Sequence, residues 1–93
     1  MVTGVMQIKL YAPFVHSLKD KRMIVLSLLQ KIKNKFSVSA AEVAEQDVKQ
    51  TIVIAVSVIS GEYSHAQNML DEIERFVLAN TEAEVTDIKK EYY

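Results

Sequence analysis

The chain has 93 residues, of which 49% are hydrophobic and 25% charged, and it carries a net charge of −1 and no cysteine. This is ordinary composition for one domain, residues 1–93, and it excludes a disulfide framework, a thiolate nucleophile and a Cys-based zinc site. No apolar run approaches the ~18 residues needed to cross a bilayer, and the opening lacks the basic-then-apolar order of a secretory signal, so a cytoplasmic chain without a membrane partner is expected.

Residues 2–11 alternate with period two. Met6, Ile8 and Leu10 share one face, and Val5, Gln7, Lys9 and Tyr11 share the other. That pattern predicts a strand with one buried face, ended by Ala12-Pro13 because proline cannot donate to a ladder. Ser17 is a good N-cap, with Asp20 three residues later as its capping-box partner. The helix it opens is expected to run to about Phe36. Leu18, Val25, Leu28, Leu29, Ile32 and Phe36 form its apolar stripe. Ile24 and Leu26 lie on the shoulders and Met23 nearly opposite, so the apolar arc is wider than one packing face needs. Residues 37–44 predict a second strand, and Glu45-Gln46-Asp47 a polar turn. Thr51 to Ile59 is the strongest strand signal. Its even positions are all large and apolar, which places it centrally in a sheet. Ser60-Gly61 ends it. Ser60 and Ser64 are both N-cap candidates for the second helix, Ser64 with Gln67 as a capping box. Ala66, Met69, Leu70, Ile73, Phe76 and Val77 form that helix's stripe, and Asn80 is its expected C-cap. Glu84 to about Lys90 predicts a last strand, followed by a short tail, Tyr92-Tyr93.

The order β-α-β-β-α-β, with two one-sided helices, predicts an α+β fold. It is the ferredoxin-like βαββαβ plait, with a four-stranded antiparallel sheet in order 4-1-3-2 and both helices on one face. This topology brings residues 12–17, the 45–49 hairpin and the Asn80-Thr81 turn to one end. The basic start of the first helix (Lys19, Lys21, Arg22) then faces the acidic hairpin region (Glu42, Glu45, Asp47).

The charge is unevenly divided along the chain. Residues 1–36 hold seven Lys or Arg against one acid; residues 37–93 hold four against eleven. A helix N-terminus carries roughly half a positive charge, so cations in its first turn need an anion nearby. Two sources are open. Glu45 or Asp47 can pair internally with Lys21 or Arg22, or an external phosphate can bind the free backbone N–H groups and the cations. Lys31, Lys33 and Lys35 spread around the exposed side of the same helix, either as a solvated face or as a docking surface for RNA or an acidic protein.

The open sheet face is expected to carry Val5, Gln7, Lys9 and Tyr11 beside Val53, Ala55, Ser57 and Ile59. Only Tyr11 is aromatic, which argues against single-strand RNA stacking there. A half-apolar face of this kind suits a second copy, so a homodimer is expected through it or through the wide arc of the first helix. His16 and His65 precede or begin helices that start at opposite ends of the sheet, so they cannot share a metal. His65 is expected at the core edge beside Met69. No catalytic set, phosphate loop or metal cluster can be assembled, and no cofactor is implied. An acylphosphatase-like site would need an arginine in residues 12–17, and there is none.

Ser17-Leu18-Lys19-Asp20-Lys21-Arg22 resembles the SLKxKR hallmark of the YlxP-like family of small bacterial proteins. Ala41-Glu42-Val43 with Gln46-Asp47 and Gln50 is similar to its second block. The opening Val-x-Gly-Val, and His65-Ala66 with a later Leu-Asp, resemble it too. The family often has a bulky residue before the glutamine matched by Gln50, where this chain has Lys49. The resemblance implies the ferredoxin-like plait. Genes of the family lie among those of translation factors and ribosome maturation, which implies a role near RNA or ribosome assembly, in a family without an established activity. It also pairs Lys19, Lys21 and Arg22 with Glu42, Gln46, Asp47 and Gln50, as a salt-bridged corner or as a polar recess for an anion.

Three functions follow as expectations. One is a non-enzymatic accessory protein of translation or ribosome assembly, holding RNA or a ribosomal partner through the basic first helix. Another is a dimeric module that binds a small anion. The third, a phosphohydrolase, is the least supported.

Overall fold

The computed structural model describes residues 1–93. It has β1 (Val2–Tyr11), α1 (Leu18–Lys35), β2 (Ser39–Ala44), β3 (Thr51–Ser60), α2 (Tyr63–Ala79) and β4 (Glu84–Tyr92). The four strands form one antiparallel sheet in the order β2-β3-β1-β4, the expected plait.

Period-two patterning sets the register. Met6, Ile8 and Leu10 stand opposite Val56, Ile54 and Ile52, all on the face beneath the helices. A slip of one residue would turn every one of them to the open face. These six, with Val25, Leu28, Leu29 and Ile32 of α1 and Ala66, Leu70, Ile73 and Val77 of α2, make one continuous core. Each full-sized aliphatic buried there stabilises the fold by roughly 1.5–3 kcal/mol. α2 lies over the central strands β1 and β3, and α1 lies toward the edge strand β2. Lys90 ties β4 to α2, with its Nζ 2.7 Å from both Asp71 Oδ1 and Glu74 Oε1.

Several element ends differ from expectation, each for a local reason. α1 stops at Lys35, and the Phe36 N–H still reaches Ile32 O at 2.9 Å. Val38 N–H then bonds Phe36 O, so β2 begins at Ser39 rather than at residue 37. The N-cap of α2 is Glu62, neither Ser60 nor Ser64. The Ser60 hydroxyl is committed just outside the helix: it accepts from Glu62 N–H and meets His65 Nδ1 at 2.9 Å. Asn80 is the C-cap, as expected, and its Nδ2 donates to Phe76 O. Tyr92 belongs to β4 rather than to a tail, its ring edge-on to Tyr63 with centroids 4.9 Å apart. Tyr93 extends the pairing by exchanging backbone bonds with Thr3.

Candidate functional site

The first turn of α1 is built on Ser17. Its extended backbone lets Oγ accept from Asp20 N–H at 3.0 Å, while its carbonyl accepts the Lys21 N–H at 3.1 Å. Lys21 therefore lies three residues after Leu18 and four before Val25, on the inward stripe of the helix. Its side chain is 1% exposed.

The β2–β3 hairpin supplies what that buried ammonium needs. Lys21 Nζ donates to Glu45 O at 2.5 Å and to Val48 O at 2.6 Å. Glu42 Oε2 lies 3.1 Å away. Two donors thus meet carbonyls and the charge faces the Glu42 carboxylate, so the acid beside Lys21 is Glu42 and not the expected Glu45 or Asp47; Glu45 supplies only a carbonyl. The local backbone explains this. Glu42 stands opposite Ile54 on the helix side of the sheet, and the register shifts just after it, between Glu42 and Ala44. Glu45 then takes a left-handed backbone, φ 57°, which turns its carbonyl toward both Lys21 and the Val48 N–H. Glu42 Oε2 is buried and has no aligned hydrogen bond, so its contact with Lys21 is ionic and is the carboxylate's compensation.

Gln50 secures the other side of this corner. Its Nε2 donates to Pro13 O and Val15 O at 3.1 and 3.2 Å, and its backbone carbonyl accepts from Ala12 N–H at 2.8 Å. Gln50 thus straps the β1–α1 connection to the start of β3. Lys21, Glu42 and Gln50 are brought together as a corner whose donors are spent on the protein itself.

The other candidates are not drawn in. Lys19, Arg22, Gln46 and Asp47 are exposed and make no side-chain hydrogen bond or ion pair. Lys31, Lys33 and Lys35 are exposed as well, Lys35 with its Nζ 5.3 Å from the Phe76 ring centroid. At ~100° per residue, Lys31 and Lys35 fall on the flank toward α2, and Lys19, Arg22 and Lys33 on the flank toward β2. The two flanks of α1 together present five cations, two on one side and three on the other, against one exposed acid, Asp20, and none of the five is in a salt bridge.

His16 is exposed in the β1–α1 connection. His65 is exposed too, bonded to Ser60 rather than packed at the core edge. A shallow recess of about 400 Å³ at the hairpin end is lined by Tyr11, His16, Lys49 and Gln50 among others. Of the residues expected to form a polar recess there, only Gln50 lines it. No group of three His, Cys, Asp or Glu side chains converges as a metal site would require. No helix is long and apolar enough to cross a membrane.

Sequence reasoning missed one feature. A cleft of about 580 Å³ separates α1 from the α2–β4 connection, with Phe14, Met23, Ile24 and Leu28 on one side and Ala79 and Asn80 on the other. The signal was the excess width of the α1 apolar arc at Met23 and Ile24, together with Phe14 in a short connection. Lys21 had a signal too: its spacing from Leu18 and Val25 already placed it on the buried stripe.

The fold and most of the chain have counterparts among known proteins. The solution NMR structure of a de novo designed protein with a ferredoxin fold superimposes with a TM-score of 0.65 at 13% identity, over 99% of this chain and 85% of the designed one. At that identity the likeness speaks for the fold alone. The uncharacterized protein YlxP of Bacillus subtilis (strain 168) is 29% identical over 77 residues, which is 83% of this chain and 84% of that protein. The family model described as "Protein of unknown function (DUF503)" matches residues 3–90, a span that takes in the Lys21–Glu42–Gln50 corner and all or most of each of the six elements, and the chain belongs to that family.

Proposed function

We propose that the protein is a non-enzymatic accessory factor that docks on RNA in a ribosomal or pre-ribosomal particle, using the basic flanks of α1. The observation that carries this reading is the set of five exposed, unpaired cations on one helix of a chain whose net charge is −1. On the flank toward α2, Lys31 and Lys35 lie four residues, about 6 Å of helix, apart, a spacing that suits adjoining phosphates. The implied setting among translation and ribosome-maturation genes points the same way.

Against the competing anion-binding reading, the buried Lys21 ammonium already has two carbonyl acceptors and the Glu42 carboxylate as partners. A second copy on the open sheet face is compatible with RNA on α1, since the two surfaces lie on opposite sides of the sheet. Ile59, 70% exposed, and Tyr11, 42% exposed, are apolar contacts available on that face.

The test is co-sedimentation with ribosomal particles from the native host across a salt gradient. The wild-type chain is expected to travel with the particles at low salt and to dissociate as salt rises. Changing Lys31, Lys33 and Lys35 together to Glu should abolish co-sedimentation. Lysine-to-alanine changes at the same positions should flatten the logarithmic salt dependence by about two units. Undiminished binding by the triple Glu variant would refute the proposal.

A further inference from the structure

RNA-recognising plaits stack bases on aromatic residues of the open sheet face. Here the central strands offer only Tyr11 on that face. The helical side is better equipped. The cleft beside Phe14 and a second recess of about 410 Å³ beside Phe36 and Phe76 share Ala79 and Asn80, so they form one groove between α1 and α2. Lys31 lines its first part, and Lys35 and Arg75 its second; Glu82 and Glu72 are the acids along it, and Asp20 lies at its Phe14 end.

The aromatic rings in this groove are not equivalent. Phe36 and Phe76 meet edge to face, with centroids 5.5 Å apart, and Lys35 lies over Phe76. Phe14 is 45% exposed and has no aromatic or cationic partner. Polar groups border it. Asn80 spends its Nδ2 on Phe76 O, which leaves Oδ1 as a free acceptor, and Ser27 presents an unused hydroxyl. A groove with one free aromatic ring, a lysine on the same wall and nearby hydrogen-bonding edges offers the stacking surface and phosphate contact that single-stranded nucleic acid uses.

We infer that the α1–α2 groove binds an unpaired segment of RNA, one base stacking on Phe14 between Met23 and Ile24 while Lys31 meets the adjoining phosphate. The inference rests on the RNA reading above and narrows it from any polyanion to single-stranded RNA. Stacking is what separates the two, because a duplex keeps its bases in its own stack and can satisfy only the cations.

The experiment measures anisotropy of a labelled twelve-residue oligouridylate and of a labelled RNA hairpin of equal charge whose paired strands are joined by a non-nucleotide linker, so that it has no unpaired base, at fixed salt, with the whole chain. Phe14→Ala is expected to weaken oligouridylate binding about fivefold to a hundredfold. Hairpin binding should be unchanged, and Phe14→Tyr should restore the single-strand affinity. Because the chain has no tryptophan, Phe14→Trp supplies a direct reporter, whose emission should be quenched by oligouridylate and not by the hairpin. Equal oligouridylate affinity for Phe14→Ala and wild type would overturn the base site. If the Lys31, Lys33 and Lys35 to Glu variant still lost binding in that case, the RNA reading would stand and the groove would be free for a protein partner. Absence of binding to either RNA by the wild-type chain would overturn both.

Discussion

Replacing Lys21 with methionine keeps the length of the side chain and removes its charge. Three oxygens then lose their partner at once. Glu45 O and Val48 O belong to an exposed hairpin and can turn to water. Glu42 Oε2 cannot, because it is buried and Lys21 at 3.1 Å is its compensation. Leaving a buried charge without its partner costs about 3–5 kcal/mol. A 93-residue domain has a total stability of about 5–14 kcal/mol, so Lys21→Met should forfeit a large fraction of it. In thermal unfolding followed by circular dichroism the midpoint should fall by at least about 12 °C. The magnitude depends on Glu42, which gives a sharper check. In Lys21→Met/Glu42→Leu both charges are gone, and the double variant should be at least about 1 kcal/mol more stable than the sum of the single effects predicts. A Lys21→Met variant within about 1 kcal/mol of wild type in urea titration would refute the reasoning, as would strict additivity in the cycle.

Two further outcomes can be read from stability measurements. A methyl group on Gly4 would meet Leu70 Cδ1 and Val58 Cγ2 at 3.2 Å and Tyr92 Cε1 at 3.3 Å. Gly4→Ala should therefore cost about 1 kcal/mol by overpacking, and Gly4→Val should cost more, both measurable by urea unfolding. The bridge between α2 and β4 predicts a pH dependence. The hydrogen bond from Lys90 and its charge hold the Asp71 carboxyl below its usual range. Burial pulls Lys90 down, but its hydrogen bonds to Asp71 and Glu74 and their charges outweigh that and leave it raised. The Asp71 contribution is present above the usual carboxylate range and is lost as pH falls through the lowered value. The Lys90 contribution is present below the usual lysine range and is lost as pH rises through the raised one. Denaturation at pH 7 and near pH 3 should show Lys90→Met losing less stability than wild type on acidification; an identical loss would count against the bridge.

Much of the architecture was legible from residue pattern. Alternation at Met6, Ile8 and Leu10, and at Ile52 to Val58, identifies the two central strands and their inward faces. The one-sided stripes of both helices, taken with element order, leave the plait as the solution that buries them all. Ser17 and Asn80 announce the α1 start and the α2 end because each cap bonds backbone groups within four residues, and such contacts are local in sequence. Ser64 shows the limit of that logic: its capping-box spacing is sound, yet Ser60 and Glu62 set the α2 entry five and three residues before His65.

The candidate site divides along the same line. Residue types and spacing determined that α1 carries an excess of cations, that Lys21 falls on its buried stripe, and that the plait brings it to the hairpin end. They could not determine which oxygens receive it. That was decided by a register shift after Glu42 and a left-handed Glu45, two backbone events that aim one carboxylate and two carbonyls at a point 24 and 27 residues away from Lys21 in the chain. The same holds for Gln50, whose amide reaches back 37 and 35 residues to Pro13 and Val15. Periodicity reports which face a residue occupies, because burial acts on each residue singly. Hydrogen bonds across a corner depend on distances between separate elements, and only packing of α1 against the hairpin brings those distances within bonding range.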